Sequence, residues 1–242
     1  FDRLISNLGH CTRSNVPRFV RENKVKVDGR SPTRAHYSER IDPQRVTMNG
    51  KPLEHIEKLH LVMHKPINYV CSRVIEHEEE QIVYDLLPRQ FLKRQPTLAV
   101  AGRLDKWASG LLILSQDGEL VKNITTPTKK DHTFGKTYQV KLQKPFSGKE
   151  SEIFASGKLL LKSEEIACKP AEFEIVDKEN QLCRITLYEG RYHQVRRMLA
   201  AVGNHVQEIQ RVSVGPIHLG DLEMGHWRKM TVDELTALGH IQ

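Results

Sequence analysis

Residues 101–120 read AGRLDKWASGLLILSQDGEL. The run Gly110-Leu111-Leu112-Ile113-Leu114 is too short to span a bilayer and too uniformly apolar for a half-exposed strand. It predicts a strand covered on both faces. Asp117-Gly118 then supplies a turn or helix-start signal. Asp105 stands at the mouth of this strand, beside a glycine-relieved bend, where α/β and α+β enzymes place catalytic groups. On this stretch alone a turn or cap aspartate is the simpler reading.

Outward from it, apolar alternating or continuous pieces at 59–64, 97–104, 137–142, 171–176 and 182–188 read as further strands. Helical patterns fall near 81–87, 118–124, 150–156, 192–202 and 231–238. Strands and helices do not alternate strictly, so an α+β fold on a mostly antiparallel mixed sheet is expected rather than a doubly wound one. The chain carries no 20–50-residue repeat and no glycine loop of the nucleotide-binding type.

The chain has 242 residues, of which 38% are hydrophobic and 28% charged, enough to bury a core and unlike a disordered chain. No apolar run reaches the roughly 20 residues of a membrane span, so no membrane partner is expected. No signal peptide is visible, and the expected compartment is the cytoplasm, or an organelle if a targeting segment precedes Phe1. Cys11, Cys71, Cys168 and Cys183 form no Cys-x-x-Cys pair and read as structural thiols of a reduced compartment. His60 and His64 are four apart, but HLVMHKP alternates like a strand and offers no acidic third ligand. No metal site is expected there.

Charge is unevenly placed. Of the net +7, residues 1–53 carry +6, with eleven Lys and Arg against five acids. That asymmetry predicts a polyanion-binding module, 1–53, joined to a nearly neutral one, 54–242. In the first, Leu4, Ile5 and Leu8 give a helix face ended by Gly9. A second helix, capped by Thr12 or Ser14, turns Val16, Phe19 and Val20 inward, and Asn23 sits where a left-handed cap belongs. Lys24-Val25-Lys26-Val27 alternates before Asp28-Gly29, and RVTMNG ends in Asn49-Gly50, both hairpin signals. Arg13, Arg18 and Arg21 beside Lys24 and Lys26 would make a compact face for phosphates. This order resembles the ribosomal-protein-S4-like RNA-binding domain. It departs from that pattern in Pro17, tolerable only in a helix's first turn, and in Asn23, where glycine is usual.

In the larger module, LYEGRYHQVRRMLAAVGNHV has a helical period from Tyr192 that stacks Val195, Met198, Leu199 and Val202 on one stripe. Arg196 falls at the edge of that stripe, about 100° from its centre. It can reach inward, while Arg197 and Arg191 can reach phosphate. A guanidinium entering a partly buried site calls for a carboxylate, and Asp105 is the candidate. Tyr138, in FGKTYQVKL, reads on propensity as a cross-strand tyrosine. Lys65-Pro66 reads as a loop after a strand.

Four stretches taken together, Lys65-Pro66, GRLD with Gly-Leu-Leu five residues on, Lys136-Thr137-Tyr138 and EGRYHQVRRM, resemble the pseudouridine synthase superfamily, specifically the RsuA/RluB/RluE/RluF family. The similarity runs over essentially the whole chain. One departure is Ala108, where the family usually has Thr or Ser; loss of that hydroxyl would loosen the catalytic loop.

The resemblance implies isomerisation of a uridine in RNA: the N1–C1′ bond breaks, the base turns, and C5 is rejoined to the sugar. It implies Asp105 as the essential carboxylate, Arg196 paired with it, and Tyr138 against a base that has left its helix. Arg103 would fill the gap or grip the backbone. Lys129, Lys130, Lys136, Arg191 and Arg197, with the S4-like face, would hold structured RNA, by analogy ribosomal RNA or an assembly intermediate. No cofactor or metal is implied, and a monomer is expected. The alternatives are an inactive RNA-binding protein of the same fold and a synthase acting on transfer RNA. A glycosidase-like hydrolase would need a second catalytic carboxylate, and none sits in a comparable motif.

Overall fold

A computed structural model describes residues 1–54, 58–73, 80–126 and 134–240; Lys129 and Lys130 fall outside these. The chain forms two compact units. The first comprises Phe1–Leu59, Leu87–Ala99 and Ser115–Asp117, and the second takes the remainder. The division is therefore not one cut between residues 53 and 54. The reason is local: Gln90 Nε2 donates to Leu8 O at 3.1 Å, and Gln95 N donates to Asn7 O. Gly9, at φ +79°, admits this approach, since a Cβ there would meet Gln90 O at 2.1 Å.

The first unit contains α1 (Asp2–Asn7), α2 (Val16–Glu22), β1 (Lys26–Val27), β2 (Val46–Met48), β3 (Lys51–Pro52) and α3 (Arg89–Leu92). Ile5, Leu8, Val16, Val20, Val25, Val27, Val46 and Leu53 form its core. Val25 and Val27 are buried while Lys24 and Lys26 are exposed, as the alternation requires. Asp28-Gly29 and Asn49-Gly50 have positive φ at both residues, which is what tight two-residue hairpin turns demand. Two terminal details differ from expectation. Thr12 heads a 3₁₀ turn at Arg13–Asn15, and α2 is entered through Asn15 with Pro17 in its first turn. Asn23 is not left-handed; its Nδ2 donates to Phe19 O, and Lys24 takes the positive φ instead.

The second unit is built on a mixed, mostly antiparallel sheet. Its strands are β4 (His60–Lys65), β7 (Ala99–Ala101), β8 (Ser109–Ser115), β9 (Lys136–Leu142), β10 (Glu172–Asp177), β11 (Leu182–Leu187), β12 (Val206–Val214), β13 (Ile217–His218) and β14 (Trp227–Lys229). They run β10-β11-β9-β12-β8-β4-β14, with β13 on β12 and β7 on β8. A separate pair joins β5 (Tyr69–Val70) to β6 (Gln81–Ile82) in parallel. The helices are α4 (Gly118–Thr125), α5 (Glu150–Ala155), α6 (Gln194–Ala201) and α7 (Val232–Ala237). Leu111–Leu114 of β8 are fully covered. Leu111 and Ile113 pack with Leu120 and Ile124 of α4 and Leu235 of α7.

Several short elements, and one long strand, were not anticipated. The segment expected as a helix near 81–87 is β6 followed by a 3₁₀ turn at Val83–Leu86. Residues 206–214, VQEIQRVSV, carry no apolar run, yet form β12, the strand joining β9 to β8. Its pairing with β8 is parallel, placing Arg211 opposite Gly110. Among the described residues no helix is long and apolar enough to cross a membrane.

Candidate active site

Asp105 lies in the turn between β7 and β8. Its carbonyl accepts from Ala108 N at 3.1 Å, so the turn closes on itself without a hydroxyl at position 108, and Ala108 is buried. Lys65, fully buried at the end of β4, pins the same turn from below. Its ammonium donates to Ala108 O at 2.8 Å, to Lys106 O at 3.4 Å and to Pro66 O at 2.8 Å. Burial pulls this lysine down to about 8, against the opposing influence of Cys71 and Asp105. The Lys65-Pro66 pair thus does more than end a strand: Lys65 makes two hydrogen bonds to the loop that carries Asp105.

A second cation, Arg211, holds the other side of the turn. It is 1% exposed and sits on β12 opposite Tyr138 of β9. Its guanidinium donates to Leu111 O at 2.8 Å, Gly102 O at 2.9 Å and Arg103 O at 3.4 Å. Arg211 gives no sequence signal beyond an arginine among polar residues. Only the placement of β12 turns it into the clamp of the Gly102-Arg103 bend.

These groups surround a cavity of about 420 Å³ lined by Asp105, Tyr138 and Arg196 together with Arg103, Lys136, Glu189, His193 and Arg211. The three residues expected at the centre are brought together, but not in the expected pairing. Asp105 Oδ1 lies 3.6 Å from His193 Nε2, whereas Arg196 Nη2 donates to Trp107 O at 3.5 Å. The helix begins at Gln194 rather than Tyr192, and His193 precedes it at φ +49°. Arg196 reaches the cavity from the edge of the stripe, as its helical phase predicts, but it is His193, outside the helix, that meets the Asp105 carboxylate.

Other expected RNA contacts are also redirected. Arg191 donates to Ile166 O and Ala167 O, both at 2.7 Å, and pairs with Glu189 at 3.3 Å. Arg197, expected to face solvent, pairs with Glu164 at 2.7 Å and donates to Lys162 O. Both arginines bind the 162–167 segment to the start of α6. Glu189 is a second carboxylate in the cavity, but Lys169 N, Gln194 Nε2 and Arg191 engage it. Lys136 is buried rather than on the surface, and Arg103 is exposed beside Asp105.

Residues 59–201 match the RNA pseudouridylate synthase family, a span that contains Lys65-Pro66, Asp105, Tyr138 and Arg196. The chain belongs to the pseudouridine synthase family. It is 34% identical to the uncharacterized RNA pseudouridine synthase YtzG of Bacillus subtilis strain 168, over 100% of this chain and 98% of that one. It is 35% identical to ribosomal small subunit pseudouridine synthase A of Escherichia coli K12, covering 98% of each. A pseudouridylate synthase crystal structure with 32% identity superimposes with a TM-score of 0.66 over 98% of both chains. The mixed sheet is thus that of a known synthase fold.

In the first unit of this family member, the basic residues fall into two sets. Arg13 is paired with Asp2 and Arg18 with Glu22. Arg21, Lys24 and Lys26 are exposed and enter no ion pair among the described residues.

Proposed function

We propose that this chain isomerises a uridine of small-subunit ribosomal RNA to pseudouridine, with Asp105 as its essential carboxylate. The observation that carries this reading is the shared cavity. A half-buried carboxylate, an arginine and a strand tyrosine converge there, while the neighbouring carboxylate, Glu189, is already spent on Arg191 and Gln194. Breaking N1–C1′ develops positive charge at the sugar, and an anion fixed at that point stabilises it. A covalent bond from Asp105 would divide the step in two. Tyr138, two residues from Lys136 on the same face of β9, bounds the place of the turned base.

The small-subunit assignment rests on the name of the Escherichia coli relative. The exposed Arg21, Lys24 and Lys26 are the docking face for RNA phosphates, in a module resembling the S4-like domain; such contacts position an enzyme without selecting the base.

The test is tritium release from small-subunit ribosomal RNA labelled at uridine C5, with transfer RNA as a parallel substrate and precursor particles as a third. Release from ribosomal RNA or particles by the wild-type chain, and none by Asp105→Asn, is the expected result. Salt-sensitive binding without release from any substrate would mark a non-catalytic binder, and release from transfer RNA alone would overturn the substrate assignment.

A further inference from the structure

Three cations are buried around the Asp105 turn, and two of them are fully engaged. Lys65 has three carbonyl acceptors, and Arg211 has three. Lys136 has none. The residue is 6% exposed, its side chain enters no hydrogen bond or ion pair among the described residues, and it lines the cavity that holds Asp105 and Tyr138, onto which its ammonium opens: among the described residues only His10 and His60 hold a fully buried side-chain nitrogen without a partner. Its strand neighbours are Leu187 on β11 and Val214 on β12, both apolar at these positions. A Cβ on Gly102, three residues before Asp105, would lie 3.8 Å from both Lys136 Cε and Arg211 Nη1. Burial and the like charge of Arg211 both pull Lys136 below the ordinary lysine range.

An ammonium partly withdrawn from water in this way, with no protein acceptor, is disfavoured relative to one on the open surface. Structural buried lysines are given acceptors, as Lys65 is. A lysine aimed into a cavity without one has its acceptor supplied from outside. The carboxylates lining the cavity do not serve: Asp105 contacts His193, and Glu189 is bound to Arg191 and Gln194.

We propose that Lys136 is a catalytic residue whose ammonium faces the uracil and takes up the negative charge the ring acquires as the glycosidic bond breaks. The inference rests on the pseudouridine reading and goes beyond it. When N1–C1′ cleaves, the electron pair stays with the base, leaving a uracil anion delocalised over N1, O2 and O4 while Asp105 meets the sugar. The ring turns, C5 bonds to C1′, the C5 proton is lost and N1 gains a proton, so the sum is an isomerisation. If Asp105 instead adds to C6, the charge again falls on the ring oxygens. Both routes need a cation opposite the base, and Tyr138 on the same face of β9 keeps that base against Lys136.

The test compares Lys136→Met and Lys136→Arg in single-turnover tritium release, with RNA affinity measured by filter binding. Lys136→Met should lose on the order of a hundredfold in kcat, the usual effect of removing one such donor. KM and RNA affinity should stay within about threefold, the signature of an interaction made in the transition state. Its thermal midpoint should not fall, because the side chain makes no hydrogen bond or ion pair that the folded chain would lose. A lysine that merely braced the fold would lower it. Lys136→Arg, which keeps the cation, should recover about a tenth or more of kcat.

Turnover by Lys136→Met at the wild-type rate overturns the proposal. So does a loss confined to KM and affinity, which would make Lys136 a phosphate contact. A loss in Lys136→Arg equal to that in Lys136→Met, at an unchanged thermal midpoint, overturns it too. Absence of tritium release by the wild-type chain would strike the pseudouridine reading itself.

Discussion

Replacing Gly110 with alanine tests the parallel β8–β12 junction and the site that hangs from it. Gly110 has φ +114°, and a Cβ there would fall 2.3 Å from Arg211 O and 2.5 Å from Arg211 N. Ordinary van der Waals contact begins near 3.4 Å, so one strand must retreat by about 1 Å, and no side-chain rotation can relieve a clash with backbone. A non-glycine residue in that region of φ costs about 1–3 kcal/mol, and forced overpacking adds about 1–3 kcal/mol. For a chain of this size each kcal/mol shifts the midpoint by about 2–4 °C, so a fall of about 10 °C is expected. Thermal unfolding followed by circular dichroism reads it directly. Gly118→Ala is the control: nothing lies within 4 Å of that added Cβ, and φ there is not positive. Because Arg211 also clamps Gly102 and Arg103, the surviving folded Gly110→Ala chain should turn over more slowly at saturating RNA. A midpoint within 3 °C of wild type, or a drop equal to that of Gly118→Ala, would show that the close approach does not constrain the fold.

Two further outcomes follow from the charges. Glu234 is held below the usual carboxylate range by Arg228, with Thr231 N and Oγ1 adding to it; its contribution is present above the unfolded value of 4.5 and disappears as pH falls through the lower folded value, so acid titration of stability should show a loss below about pH 4 that Glu234→Gln abolishes. Reversing Arg21, Lys24 and Lys26 to glutamate should weaken RNA binding and flatten its dependence on salt, by about one slope unit per lost phosphate contact, with turnover at saturating RNA retained; an unchanged salt slope would remove this face from the RNA path.

Much of the fold was legible because its signals are local. The apolar run of β8, the Asp-Gly and Asn-Gly turns and the alternation at Lys24–Val27 each depend on residues within one turn or strand. Asp105 was a candidate only once its stretch was read together with three others, since on that stretch alone a turn or cap aspartate is the simpler reading. What failed was anything that depended on which strand lies beside which. β12 has polar residues at most of its positions and buries chiefly Ile209, Arg211, Ser213 and Val214, two of them polar, although it is paired on both edges, with β9 and β8. Nothing in VQEIQRVSV announces a central strand, so nothing in the sequence singles out Arg211.

The arginines of EGRYHQVRRM show the same limit at smaller scale. Their spacing predicted a helix and an apolar stripe, and Val195, Met198 and Leu199 are buried as that stripe requires. The left-handed residue His193 shifts the start of the helix, and a single such residue redirects every side chain before it. Arg191, before it, and Arg197, after it within the helix, both find Glu164 and the carbonyls of 162–167, partners some thirty residues away in the chain that no local spacing could name.

The sequence by itself determined most of the elements and the charge asymmetry and singled out Asp105 as the candidate carboxylate, because hydrophobic period, turn chemistry and motif spacing act over a few residues. Tertiary structure alone decided that Lys65 and Arg211 clamp the Asp105 turn, that His193 rather than Arg196 meets its carboxylate, and that Lys136 faces the cavity with no acceptor among the described residues. Each of those is a statement about desolvated charge, and the cost of desolvation is set by neighbours brought from distant parts of the chain.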